Sequence, residues 1–161
     1  MVSNICFVPS LLFSHTIVAE IQENSDLTYR LYDYNRVGND GRTRPLKLDK
    51  ALQVMNYSAT KVEHLPHPEP VRNGAVNLQT TDYFTTNLLT LDCPAQRDYA
   101  PLDSFVAFMC VDGQGTIQAL DCDSPDSSVR IKKGEAVLIP ASLNDIVLTP
   151  DGSMQLLEVY V

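Results

Sequence analysis

Glu20, Gln22, Glu23, Asn24 and Asp26 crowd carboxylates and amides into a few residues, and Tyr29, Arg30, Tyr32, Tyr34 and Arg36 follow directly. A segment kept only for packing rarely carries so many groups that must be hydrogen-bonded or left in water. The side-chain set of Glu20–Arg36 reads as one wall of a sugar-phosphate site. Six of the 12 Lys and Arg residues (Arg30, Arg36, Arg42, Arg44, Lys47 and Lys50) lie in this stretch or just after it. A local basic island in an acidic chain suits a small anionic ligand better than a polyanion. Arg42 and Arg44 fall at a turn and read equally well as solvated loop charges.

Composition sets the outer limits. With 161 residues, 44% hydrophobic and 20% charged, the chain can build one good core or two small ones. A net charge of −8 argues against nucleic acid or an anionic membrane surface as partner. The apolar start, ICFVPSLLF, has no basic n-region, is broken by Pro9 and is too short to span a bilayer, so a cytoplasmic protein is expected. Four widely spaced cysteines (Cys6, Cys93, Cys110, Cys122) suggest reduced, mostly buried thiols. His64 and His67 form a His-x-x-His pair in a run with Pro66, Pro68 and Pro70. No third ligand is spaced to complete a metal site there, and both read as linker histidines.

The elements that must position these residues change character along the chain. Ile5–Val8 and Thr16–Ile21 read as strands, and Leu27–Tyr34 alternates so that Arg30, Tyr32 and Tyr34 share a face. Asn39-Asp-Gly-Arg signals a turn. One short helix is expected from about Asp49, as N-cap, to Met55. A stiff proline-rich linker covers 61–74. Beyond it, Tyr83–Leu91, Phe105–Val111, Gly115–Leu120, Val129–Ile131, Ala136–Ile139, Ile146–Thr149 and Met154–Val161 read as strands. Asp112-Gly-Gln-Gly, Ser124-Pro-Asp and Pro150-Asp-Gly-Ser read as tight turns between them. Many strands with no helix between them predict a mainly β sandwich or barrel.

Two pieces of this region resemble the cupin jelly roll. KKGEAVLIPASLND carries Gly134, five intervening residues and Pro140, as in the second cupin motif. Gly113-Gln-Gly115 followed by TIQAL resembles the opening of the first. No histidine follows Pro140 closely, so this barrel is expected to be metal-free and structural, and a cupin oxygenase lacks its His/His/Glu ligands. The stretch EIQENSDLTYRLYD narrows the family: it closely resembles the corresponding segment of bacterial type I phosphomannose isomerases (mannose-6-phosphate isomerases). The resemblance extends through the following turn and helix and, more weakly, through the C-terminal cupin motifs.

That resemblance implies interconversion of mannose 6-phosphate and fructose 6-phosphate with a bound zinc. It implies Arg30 as the active-site arginine, with Glu20, Gln22 and Asp26 as pocket-wall groups that hold it. Arg36 and Lys47 are local candidates for the phosphate. The family draws most zinc ligands from an N-terminal half, and Val8-Pro-Ser-Leu-Leu-Phe-Ser-His15 is the nearest match to a later ligand segment, making His15 the candidate ligand. The expected layout is a partial catalytic barrel over 1–60, a linker over 61–74, and a cupin-type jelly roll (a double-stranded β-helix) over 75–161. Remnant strands of a first barrel would leave open edges, hence self-association. Weak or absent turnover is expected of this chain alone. A non-catalytic cupin that binds a sugar phosphate or a protein partner is the other reading.

Overall fold

Among the described residues, strand pairing dominates the second part of the chain, and turns with one helix are found in the first. The computed structural model describes residues 19–21, 29, 31–43, 45–55, 57, 68–121 and 127–161. The chain divides into two units, Met1–Glu63 and His64–Val161.

In the first unit one helix, α1, is found among the described residues and spans Leu48–Val54. The N-cap position is Lys47, which makes no side-chain capping bond, and not Asp49 as the sequence suggested. Asp49 instead lies in the first turn, where a carboxylate is favoured by the helix dipole. Of the expected apolar face only Ala51 is buried; Leu48 and Leu52 are exposed. The expected strand Leu27–Tyr34 is not formed over Tyr29 or 31–34. Tyr34 and Asn35 both take φ of +51°, and Arg36 N donates to Asp33 O at 2.9 Å, so the chain turns where alternation predicted extension. Tyr32 and Tyr34 still meet, edge to face, with ring centroids 5.0 Å apart. Ala19–Ile21, the described end of Thr16–Ile21, is not a strand either, since no described strand pairs with it. Ile5–Val8 lies outside the described residues. The Asn39-Asp-Gly-Arg turn is present: Gly41 has φ +72°, Gly38 N donates to Arg42 O at 2.8 Å, and Val37 bridges Thr43.

Among the described residues the second unit holds seven strands: β1 Gly74–Thr80, β2 Thr85–Leu91, β3 Ala95–Asp98, β4 Val106–Ala119, β5 Ser128–Lys132, β6 Ala136–Ile139 and β7 Asp145–Tyr160. All pairings are antiparallel. The two long strands, β4 and β7, pair along almost their full length and change outer partners half-way. The first half of β4 lies between β6 and the second half of β7, which continues to β2 and β1. The second half of β4 lies between β5 and the first half of β7, which continues to β3. Residues of both halves (Leu89, Phe108, Leu156 on one side, Ile117, Ile131, Leu148 on the other) join one buried cluster, so the sheet folds over on itself as a jelly roll.

The fold-over explains two misread signals. Asp112-Gly-Gln-Gly and Pro150-Asp-Gly-Ser do not separate strands; they face each other inside β4 and β7. Gly113 pairs with Met154 and Gly115 with Pro150, with register shifts between. Only glycine fits here: a Cβ on Gly113 (φ +74°) would fall 2.0 Å from Ser153 O, and one on Gly115 2.5 Å from Thr149 O. The shifts also move the inward face of β4 from Val106, Phe108 and Cys110 to Ile117 and Ala119, keeping apolar residues in the core. Ser124-Pro-Asp lies outside the described residues. Gly134 (φ +87°) opens β6 and Pro140 follows its last residue, as the sequence predicted. Cys110 is a buried free thiol, but Cys93 is exposed, contrary to expectation, because it lies in the loop between β2 and β3.

Candidate functional site

Of the residues singled out from sequence, Glu20, Arg36 and Lys47 are described, and all three are exposed. Arg30, Gln22, Asp26 and His15 lie outside the described residues. The turn at Tyr34–Asn35 brings Arg36 to a shallow cavity of about 310 Å³, shared with Tyr32, Asp33, Asn35, Thr43 and Pro45. One cation, one carboxylate, a phenol, an amide and a hydroxyl in an open pocket can hydrogen-bond a small oxygen-rich ligand. Lys47 follows the cavity residue Leu46 in sequence but does not itself line it.

A second polar constellation, not anticipated from sequence, lies at one end of the jelly-roll interior. Along β7, Met154, Leu156 and Glu158 face inward; along β2, Leu91, Leu89 and Asn87 do the same. Both rows start apolar and end polar at the same level, since Asn87 and Glu158 are direct cross-strand partners. Glu158 is only 3% exposed. Its Oε2 accepts from Asn87 Nδ2 at 2.8 Å and its Oε1 from the Tyr99 hydroxyl. Arg97, from β3 on the other half of the roll, places Nε 3.6 Å from Glu158 Oε1, an ion pair without a hydrogen bond. Arg97 Nε and Nη2 are buried with no acceptor. Burial, then the neighbouring Glu158 charge, push the Tyr99 phenol well above its ordinary pKa, so it stays a hydrogen-bond donor. The signal in the sequence was a carboxylate inside the apolar run MQLLEVYV, a group that a core accepts only with partners.

Among the described residues no group of three or more His, Cys, Asp or Glu side chains is placed to hold a metal ion. All three histidines of the chain, His15, His64 and His67, fall outside those residues. Among the described residues no helix is long and apolar enough to cross a membrane.

A folded-over antiparallel roll, entered by a Gly-to-Pro strand and open to a polar end, defines a cupin. A family model described as mannose-6-phosphate isomerase, cupin domain, matches residues 75–161, more than half of the chain. The chain belongs to that family. Among curated proteins it is 38% identical over 84 residues to the probable mannose-6-phosphate isomerase GmuF of Bacillus subtilis, covering 49% of this chain and 27% of that protein. It is 29% identical over 134 residues to the mannose-6-phosphate isomerase ManA of the same organism, covering 82% of this chain and 40% of that one. The crystal structure of the mannose 6-phosphate isomerase from Bacillus subtilis superposes with a TM-score of 0.53 at 19% identity, covering 83% of this chain and 40% of that chain, a likeness of fold. The chain thus spans well under half the length of these relatives.

Proposed function

We propose that this chain serves a mannose-6-phosphate isomerase, catalysing the aldose–ketose interconversion of mannose 6-phosphate and fructose 6-phosphate in the cytoplasm. The observation that carries the reading is the family match over 75–161, which stands beside the isomerase-like stretch Glu20–Asp33. Moving a carbonyl between C1 and C2 requires a proton taken from carbon and an enediolate stabilised as charge builds on oxygen. Arg30 is assigned that stabilisation, because a guanidinium holds its charge throughout. Glu20, Gln22 and Asp26 are assigned to orient it. Arg36, at the mouth of the turn-built cavity, and Lys47 are assigned to the phosphate. Zinc is the metal that the resemblance implies, with His15 as its candidate ligand. The described residues offer no ligand set, so the steps assigned here are those of the chain's own side chains. The same reading divides the chain into a catalytic-barrel portion over 1–60, a linker over 61–74 and a structural jelly roll over 75–161.

The test measures fructose 6-phosphate formation and mannose 6-phosphate binding by the purified chain with added zinc. The expected result is slow or absent turnover together with saturable binding, weakened about tenfold or more by Arg30→Ala and less by Arg36→Ala. A chain that neither binds nor converts mannose 6-phosphate would overturn the proposal in favour of a non-catalytic cupin that takes a protein partner. Substantial turnover abolished by Arg30→Ala would instead show that the chain suffices on its own.

A further inference from the structure

Glu158, buried, and Arg97, half-buried, are more than an ion pair. They border a cavity of about 390 Å³ that opens at the polar end of the jelly roll and is also lined by Asn87, Gln96, Asp98 and Tyr160. We propose that this mouth is a binding site for a small neutral polyhydroxylated molecule such as a sugar or polyol.

Three observations carry the inference, and none depends on the isomerase reading. Arg97 keeps two buried guanidinium nitrogens without an acceptor, although Glu158 stands 3.6 Å away. A charged donor left without an acceptor is costly, and a ligand hydroxyl that reaches the guanidinium would supply one that the fold does not. Next, beside apolar Ala75, Pro101 and Leu102 the lining holds both donors and acceptors: the Gln96 amide carries both, Arg97 donates, Asp98 accepts, and Asn87, already bonded to Asn77 and Glu158, keeps one further N–H. A molecule with several hydroxyls, each able to donate and accept, meets such a lining better than one with a single charged group. Finally, one positive charge (Arg97) stands against two negative ones (Asp98 and Glu158), which disfavours a phosphate or carboxylate. Glu158 is held from two sides by Tyr99 and Asn87, so the acceptor wall is rigid before any ligand arrives. The cavity volume lies at the lower end of small-molecule sites, roughly 300–1,000 Å³.

The test uses the full chain, with mannose and mannitol as neutral probes and inorganic phosphate as the anionic one, followed by backbone amide NMR. The expected result is saturable shifts for mannose or mannitol at Asn87, Gln96, Arg97 and Tyr160. Arg97→Met should weaken binding about tenfold, as loss of one charge-assisted contact implies. Because Arg97→Met leaves the buried Glu158 carboxylate without its cation, Asp98→Asn at the exposed rim serves as the second variant. It keeps an oxygen for the Ala100 N–H and should weaken binding by a smaller factor without disturbing the fold. Shifts at these residues with phosphate but not with the neutral probes would overturn the ligand class. No saturable shift with any probe would overturn the site.

Discussion

The cavity beside Arg36 and the cluster around Glu158 are built in opposite ways. The first is made by a turn: two successive residues at positive φ redirect the chain, and the side chains they present stand in water. The second is made by register: β2, β3 and β7 bring Asn87, Arg97 and Glu158 together from positions up to 71 residues apart. A turn fixes its groups through a few local dihedrals, so substitutions there change the site without disturbing a core. A site set by register shares its foundations with the hydrophobic cluster, and Tyr99 shows this directly. It packs on Phe108, with ring centroids 6.3 Å apart, and donates to Glu158 from the same position. Binding and stability should therefore separate in the first region and travel together in the second.

The largest effect should come from breaking the frame of the second region. Gly113→Val places a branched side chain against Ser153 O at a left-handed backbone position. Chemical denaturation should show the jelly roll destabilised by about 4 kcal/mol or more, with collapse of the Glu158 cluster. An intermediate effect is expected from Tyr99→Phe, which leaves one Glu158 oxygen without its hydroxyl donor and should cost about 1–3 kcal/mol. The pH dependence sharpens this. The folded state holds the Tyr99 proton more tightly than the unfolded chain does. Its contribution is therefore whole below pH about 10 and is lost as pH rises beyond that value. Unfolding followed against pH should show an alkaline loss in the parent chain that Tyr99→Phe flattens. The smallest effect belongs to the turn-and-helix region. Asp49→Ala should cost about 0.3–1 kcal/mol, as expected of a charge near a helix dipole, and the loss should shrink in high salt. A salt-independent loss near 2 kcal/mol would mean that Asp49 caps the helix after all, a role typically worth about 0.5–2 kcal/mol.

The sequence was most legible where one rule acted alone. Ala136–Ile139 was read to the residue, since a glycine turn, four apolar positions and a proline bound it on both sides. The jelly roll and the isomerase family were also readable. Glycines misled where they served curvature: those at 113, 115 and 152 bend continuous strands, so β4 and β7 were each read as two. β3 was missed because Ala95–Asp98 is polar, and the ion-pair partner of its half-buried arginine, Glu158, lies far along the chain. β1 was missed because Gly74–Thr80 has just two half-buried aliphatic side chains, Val76 and Leu78. In the first unit, alternation over Leu27–Tyr34 lost to the local turn at Tyr34 and Asn35. The Glu158 site was hidden for a related reason: its members are ordinary residues in separate strands, and only pairing makes them neighbours.

The facing bends in β4 and β7 also bear on how the roll comes apart. Because both strands run through both halves of the folded sheet, neither half owns its central pair, and one cannot be peeled off while the other stays intact. The amides of Leu89, in one half, and Leu148, in the other, should then exchange with solvent only through the same global opening, as members of a single cooperative unit. The same pairing joins Val106 to Tyr160 before the roll can close, a long loop to shut early, so folding should be slow for a domain of this size.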